Sequence, residues 1–176
     1  METREQLPAH PVPPAIQARA APALQIDGLV ATPRALAAAD LVALPRVDLA
    51  EPFVCEEGWE VPGLRWRGVR LGDLLALAAP RTEARYVRAY AGEYAVPLAL
   101  DVAGDALLAE SLNGEPLTIE HGAPWRLVVP GGACFTSVKW VERLELTAEP
   151  GPDDGQRIAR ARLGRGAAKP APGPGR

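Results

Sequence analysis

Arg85-Tyr86-Val87-Arg88-Ala89-Tyr90-Ala91-Gly92-Glu93-Tyr94-Ala95-Val96-Pro97-Leu98 is the stretch that decides the fold class. Residues 85–90 alternate as a half-buried strand does, and Gly92-Glu93 turns the chain into a second strand at Tyr94–Leu98. A third strand candidate, Leu107–Leu112, runs into Asn113-Gly114, a pair that readily takes positive φ and so makes a tight turn. On the N-terminal side, Leu71, Leu74, Leu75 and Ala78 fall at helical spacing and predict a helix over 71–79 with one apolar face. Trp66–Val69 is a short strand ahead of it, and Val47, Leu49 and Phe53 share one face of an extended segment running to Cys55. A short helix from Ala37 to Leu44 is closed by Pro45, and Leu24–Val30 is a strand interrupted by a turn. Trp125–Val129 and Leu144–Thr147 complete the strands. Strands dominate, helices are few and short, and no βαβ rhythm appears. The fold class is α+β with a mixed, largely antiparallel sheet.

The ends differ from this middle. Residues 1–23 are rich in Pro and Ala without an amphipathic period, and read as an extended arm. Residues 150–176 are Gly, Pro, Ala and Arg with few large apolar side chains, and read as a disordered basic tail. Residues 24–149 are left as the folded domain, of a size that supports one core and not two. Six basic residues against Asp153 and Asp154 give the tail +4, so residues 1–149 carry −7 of the net −3. Such a balance excludes a general nucleic-acid binder, which needs clustered cations. No apolar run approaches the ~20 residues of a membrane span. Neither a basic start followed by an apolar stretch nor a twin-arginine pair opens the chain, so the expected location is the cytoplasm.

Most standard constellations are missing. Gly131-Gly132 lacks the Lys-Ser/Thr of a phosphate loop, there is no CxxC, and no Ser sits in a Gly-x-Ser-x-Gly elbow. With only His10 and His121, a protein-ligated zinc site is disfavoured. Four clusters of chemically distinctive residues remain: Phe53-Val54-Cys55-Glu56-Glu57-Gly58-Trp59; Leu64-Arg65-Trp66-Arg67-Gly68-Val69; Gly92-Glu93-Tyr94 with Pro97; and Asn113-Gly114 through His121-Gly122-Ala123-Pro124-Trp125-Arg126 to Ser137-Val138-Lys139-Trp140. Each alone is readable as packing or surface.

In order and spacing together, over about residues 24–148, they resemble the oxidoreductase molybdopterin-binding domain of the sulfite oxidase family. The matching pieces are a cysteine before Gly-Trp (Cys55, Gly58-Trp59), Trp-x-Gly-Val with an apolar helix (Trp66–Val69, Leu71–Leu77) and a tyrosine opening a strand (Tyr94). Asn-Gly-x-Pro-Leu then leads to His-Gly-x-Pro-x-Arg (Asn113–Leu117, His121–Arg126), and Ser-x-Lys-Trp (Ser137–Trp140) ends the block. The resemblance implies a molybdenum-molybdopterin cofactor with Cys55 as the protein's ligand to the metal, a soft thiolate for a soft redox centre. It implies that His121, Arg126, Ser137 and Lys139 hold the pterin's terminal phosphate with fixed donors. Tyr94 would place a phenol near the metal, where it can donate a hydrogen bond to a bound substrate. Trp66 is either a pocket wall or plain core. Cys134 lies beside the phosphate-binding segment, not at the ligand position, and is taken as a small buried residue.

The activity implied is oxygen-atom transfer to or from a small-molecule substrate. Electrons would pass to an external protein or a quinone pool, because no haem or flavin motif is present. Two departures qualify the pattern. Glu56-Glu57 stand where vertebrate-type sulfite oxidases carry an arginine pair, which disfavours sulfite unless Arg65, Arg67 or Arg88 supplies the positive field. Thr136 stands where many relatives have a lysine, one phosphate contact fewer. A non-catalytic scaffold that keeps the fold is the alternative. A lone reactive thiol at Cys55 is disfavoured, since Glu56 and Glu57 would raise its pKa.

Overall fold

The computed structural model describes residues 1–18 and 23–166. In chain order the strands are β1 (Glu2–Thr3), β2 (Ala23–Gly28), β3 (Arg34–Ala37), β4 (Val47–Ala50), β5 (Phe53–Cys55), β6 (Trp59–Val61) and β7 (Arg65–Arg70). They continue as β8 (Tyr86–Ala91), β9 (Tyr94–Ala99), β10 (Leu107–Leu112), β11 (Glu115–Pro116), β12 (Arg126–Val128) and β13 (Arg143–Thr147). The helices are α1 (Pro14–Gln17), α2 (Ala38–Leu41), α3 (Leu71–Ala76), α4 (Leu100–Ala103) and α5 (Asp154–Gly166).

The strands form three sheets. One has the order β3-β2-β13-β8-β9, in which β2 and β13 run parallel and every other pair is antiparallel. A second runs β11-β10-β7-β4, with β12 also paired to β10, all antiparallel. The third, β1-β6-β5, joins the start of the chain in parallel to β6. The α+β class and the mixed, mostly antiparallel pairing agree with the sequence. The hairpin Tyr86–Ala99 turns at Gly92 (φ +63°), and Asn113-Gly114 (φ +53° and +90°) turns β10 into β11.

The centre of the second sheet is buried on both faces. Leu107 and Ala109 of β10 point with Trp66 and Val128 into one apolar cluster. Leu108, Val69 and Leu127 point into the other, with the side chains of the first sheet. Period-two alternation along a strand between two cores has this result.

Four expectations need correction. Residues 47–55 are not one extended segment. Glu51-Pro52 breaks them into β4 and β5, which belong to different sheets, since Pro removes a ladder donor. The helix over 37–44 is one turn, α2, and that over 71–79 stops at Ala76. The arm is packed: Thr3 pairs with Glu60, Arg4 lies 4.4 Å over the Trp59 ring, and Leu7 is buried. Residues 154–166, read as disordered, form α5; residues 19–22 and 167–176 lie outside the described residues. The Asp153 carboxylate caps α5 by accepting from the Gln156 N–H (2.8 Å), and Asp154 accepts from the Ala95 N–H (3.1 Å). Capping and tertiary contact offset the ordering entropy that composition alone cannot.

Candidate active site

A cavity of about 920 Å3 opens where the third sheet, the β8–β9 turn, the 134–140 segment, the arm and α5 meet. Cys55, Tyr94, Arg126, Ser137 and Lys139 all line it. The elements that deliver them are short and tied by backbone bonds. Cys55 ends β5, and its carbonyl accepts from the Gly58 N–H (3.0 Å). Tyr94 opens β9. Ser137 follows a 3-10 turn, Cys134–Thr136, and its N–H donates to the Cys134 carbonyl (3.2 Å).

Arg126 and Lys139 are brought together by a second 3-10 turn, Ile119–His121, closed by Gly122. Gly122 has φ +111°, and a Cβ there would sit 3.2 Å from Cβ of Arg126 and 3.1 Å from Cβ of Lys139, so only glycine fits. Trp140 also takes positive φ (+58°), a costly backbone state for a tryptophan of the kind that clusters at functional sites.

Arg126 is 3% exposed, and its Nε has no hydrogen-bond partner. Nη1 donates to the His121 carbonyl (3.3 Å), and the guanidinium stacks over Trp66 (5.2 Å) and Phe53 (5.3 Å). Lys139 Nζ donates to the Glu120 carbonyl (2.5 Å). Among the described residues neither cation forms an ion pair with a carboxylate. Burial lowers Arg126 to about 10, and burial with the Arg126 charge lowers Lys139 to about 8. A buried guanidinium and a half-buried ammonium, neither in an ion pair among the described residues, suit an anion that completes the site.

The other residues follow. Tyr94 Oη donates to the Phe135 carbonyl (3.3 Å), and burial with Asp153 and Asp154 holds its phenol up at about 12. The phenol therefore keeps its proton at neutral pH. Burial, then the neighbouring Cys134 and Glu57, push the Cys55 thiol up to about 11 against an opposing backbone hydrogen bond from Glu57. This leaves little thiolate for a lone nucleophile. Trp66 is core beneath Arg126, its indole N–H donating to the Glu51 carbonyl (3.1 Å).

His121 is placed differently. Its ring bonds the Leu7 carbonyl and Thr118 Oγ1, each at 3.3 Å, and does not line the cavity; its carbonyl holds Arg126. Cys134 is not set apart from the ligand position: its Sγ lies 3.8 Å from that of Cys55. Thr136 is turned inward, donating to the Ala133 carbonyl (2.7 Å). Nor do Arg65, Arg67 and Arg88 line the cavity, Arg67 pairing with Asp48 and Arg88 with Glu145. The cation it receives instead is Arg162 of α5, 3.8 Å from Glu57. His10 of the arm lines it too, its pKa lowered by burial and by Lys139, Arg162 and Arg126. Composition hid both residues. The Asp153-x-x-Gln156 cap and the i, i+4 pairs Ile158/Arg162 and Ala159/Leu163 were the available signal for α5.

A thiol, a protonated phenol and two cations outside any ion pair among the described residues line one cavity, an arrangement that can receive an anionic group. The family profile described as "Oxidoreductase molybdopterin binding domain" matches residues 9–154, and the chain belongs to that family. Its cofactor is molybdenum-molybdopterin. The chain is 39% identical over 132 residues to "Uncharacterized oxidoreductase YuiH" of Bacillus subtilis (strain 168), covering 73% of this chain and 67% of that protein. It is 30% identical over 162 residues to "Sulfite oxidase" of Arabidopsis thaliana (70% and 41%), and 36% over 105 residues to "Nitrate reductase [NADPH]" of Fusarium oxysporum (52% and 12%). Among solved structures, the sulfane dehydrogenase SoxCD from Paracoccus pantotrophus superposes with a TM-score of 0.67 at 30% identity, over 74% of this chain and 39% of that one. The chain thus spans two thirds of YuiH but less than half of the other three. Among the described residues no helix is long and apolar enough to cross a membrane.

Proposed function

We propose that the chain is the catalytic domain of a molybdenum-dependent oxidoreductase, with Cys55 as the protein's ligand to the metal. Arg126, Lys139 and Ser137 hold the cofactor's terminal phosphate, and the His121 carbonyl orients Arg126. The observation that carries this reading is the buried guanidinium of Arg126, unpaired at Nε, beside the half-buried ammonium of Lys139 in the cavity that also holds Cys55. When bound, the cofactor supplies two-electron redox chemistry and transfer of an oxygen atom to or from a small substrate. Tyr94 keeps its proton and turns it from the Phe135 carbonyl to donate a hydrogen bond to the substrate, while Phe53 and Trp59 line the cavity with apolar surface that excludes water. Electrons leave to an external protein or a quinone pool, and the setting is cytoplasmic. Glu56 and Glu57 at the rim disfavour a dianionic substrate such as sulfite.

Molybdenum and pterin content test this, on protein from a host that makes the cofactor. The wild type is expected to hold both near stoichiometry, and folded protein with neither points to a scaffold. Arg126→Ala is expected to lose pterin and metal together, and unchanged pterin content would remove Arg126 from the site. Cys55→Ser is expected to keep pterin and abolish turnover; full turnover in that variant contradicts the ligand assignment.

A further inference from the structure

The chain has two cysteines, 79 positions apart, and both deliver sulfur to the same cavity, 3.8 Å from each other. Local sequence does not bring them together. Cys55 ends β5 at the turn closed by Gly58, and Cys134 opens the 3-10 turn before Ser137. Both are half-buried, and Cys134 donates its S–H to Cys55. A disulfide requires about 2.05 Å between sulfurs, so closure takes roughly 1.8 Å shared between two side-chain rotations.

We propose that Cys134 is a resolving thiol for Cys55: in the cofactor-free protein a peroxide joins the two in a disulfide, which withholds Cys55 from the metal until a thiol reductant reopens it. The proposal rests on Cys55 being the metal ligand. Hydrogen peroxide oxidises one thiol to a sulfenic acid and is reduced to water. The second sulfur then attacks the sulfenic sulfur, the S–OH bond breaks, and the hydroxyl leaves with the attacking thiol's proton as a second water. Two electrons leave the pair of thiols and two waters form. A dithiol reductant reverses the bond by exchange and becomes the disulfide itself. A sulfur bound to a metal is not free to attack its neighbour, so ligation and cross-linking exclude each other. The cross-link also keeps Cys55 from irreversible oxidation while the cavity is empty.

The test uses the full chain purified without cofactor, treated with hydrogen peroxide, alkylated, and weighed intact. The expected result is loss of both alkylatable thiols with a mass lower by two hydrogens, reversed by dithiothreitol. In Cys134→Ser, Cys55 is expected to gain oxygen instead. Two surviving thiols, or oxygen gain without a cross-link in the wild type, overturns the pairing and leaves the ligand assignment standing. A second arm mixes reduced and cross-linked protein with free cofactor released from another molybdenum enzyme, then records the thiolate-to-molybdenum absorption band after desalting. The cross-linked protein is expected to hold the cofactor through its phosphate contacts but to lack the band until reduced. A cross-link that forms yet leaves the band unchanged overturns the gate and the ligand assignment together, whereas a reduced protein with the band but no cross-link overturns the gate alone.

Discussion

Arg126 and Lys139 illustrate a conflict between stability and binding at the level of single side chains. Arg126 is buried and Lys139 half-buried, and burial lowers each pKa, with the Arg126 charge adding to it at Lys139. For Lys139 the folded value is about 8 against an ordinary 10.5. Between those limits the unfolded chain binds a proton that the folded chain does not, so this residue's contribution makes the cofactor-free protein more stable as pH rises through that window. Lys139→Met should abolish that contribution: its midpoint in denaturant minus that of the wild type should be largest below pH 8 and shrink towards pH 10, and a constant difference would rule the effect out. Arg126→Met removes an unpaired buried charge from between two aromatic rings. The empty variant should be more stable than the wild type by about 1–2 kcal/mol while failing to retain cofactor. Equilibrium unfolding and pterin content, measured on the same preparation, check both halves.

Helix α5 is the element whose removal from the cavity has the clearest local signature. A Cβ at Gly155 would lie 2.8 Å from Tyr94 Oη, 2.9 Å from the Phe135 carbonyl and 3.0 Å from Val96 Cγ2. Gly155→Leu should therefore lift the helix, break the Tyr94–Phe135 hydrogen bond and open the wall that Ile158, Arg162 and Leu163 form. Cys55 and Cys134 should alkylate faster in this variant with little change in global unfolding, and equal alkylation rates would show that α5 does not shield them. The strands from Tyr86 to Leu112 were legible because their pattern and turns are local: alternation, Gly92, Asn113-Gly114. Helix α5 and β1 were not, because distant surfaces stabilise them, while the split at Glu51-Pro52 did have a local signal in the proline. The same division runs through the site. Arg126, Ser137 and Lys139 sit in recognisable motifs, whereas His10 and Arg162 arrive from segments whose composition suggested no fold, and the approach of Cys134 to Cys55 joins residues 79 positions apart.

The two apolar clusters share the sheet β11-β10-β7-β4, so the molecule should unfold as one body. Leu108 is buried in one cluster and its neighbour Leu107 in the other. Leu107→Ala and Leu108→Ala should each cost about 3 kcal/mol and shift a single transition seen alike by far-ultraviolet circular dichroism and tryptophan fluorescence. Separate transitions in either variant would show that the clusters melt independently. The sheet-level architecture was legible in outline, since class and pairing sense follow from strand count and turn chemistry. That one sheet lies between two cores was not, because the strands forming it carry apolar residues on both faces and local periodicity cannot name the partner of either.

The cavity is walled both by residues 7–16 and by residues 155–163. On the ribosome the second of these segments emerges long after the first, and the pocket has no complete wall until residue 163 has left the exit tunnel. Cofactor insertion then waits on the emergence of residue 163, and acts on a pocket whose cations and thiols have already met solvent bare.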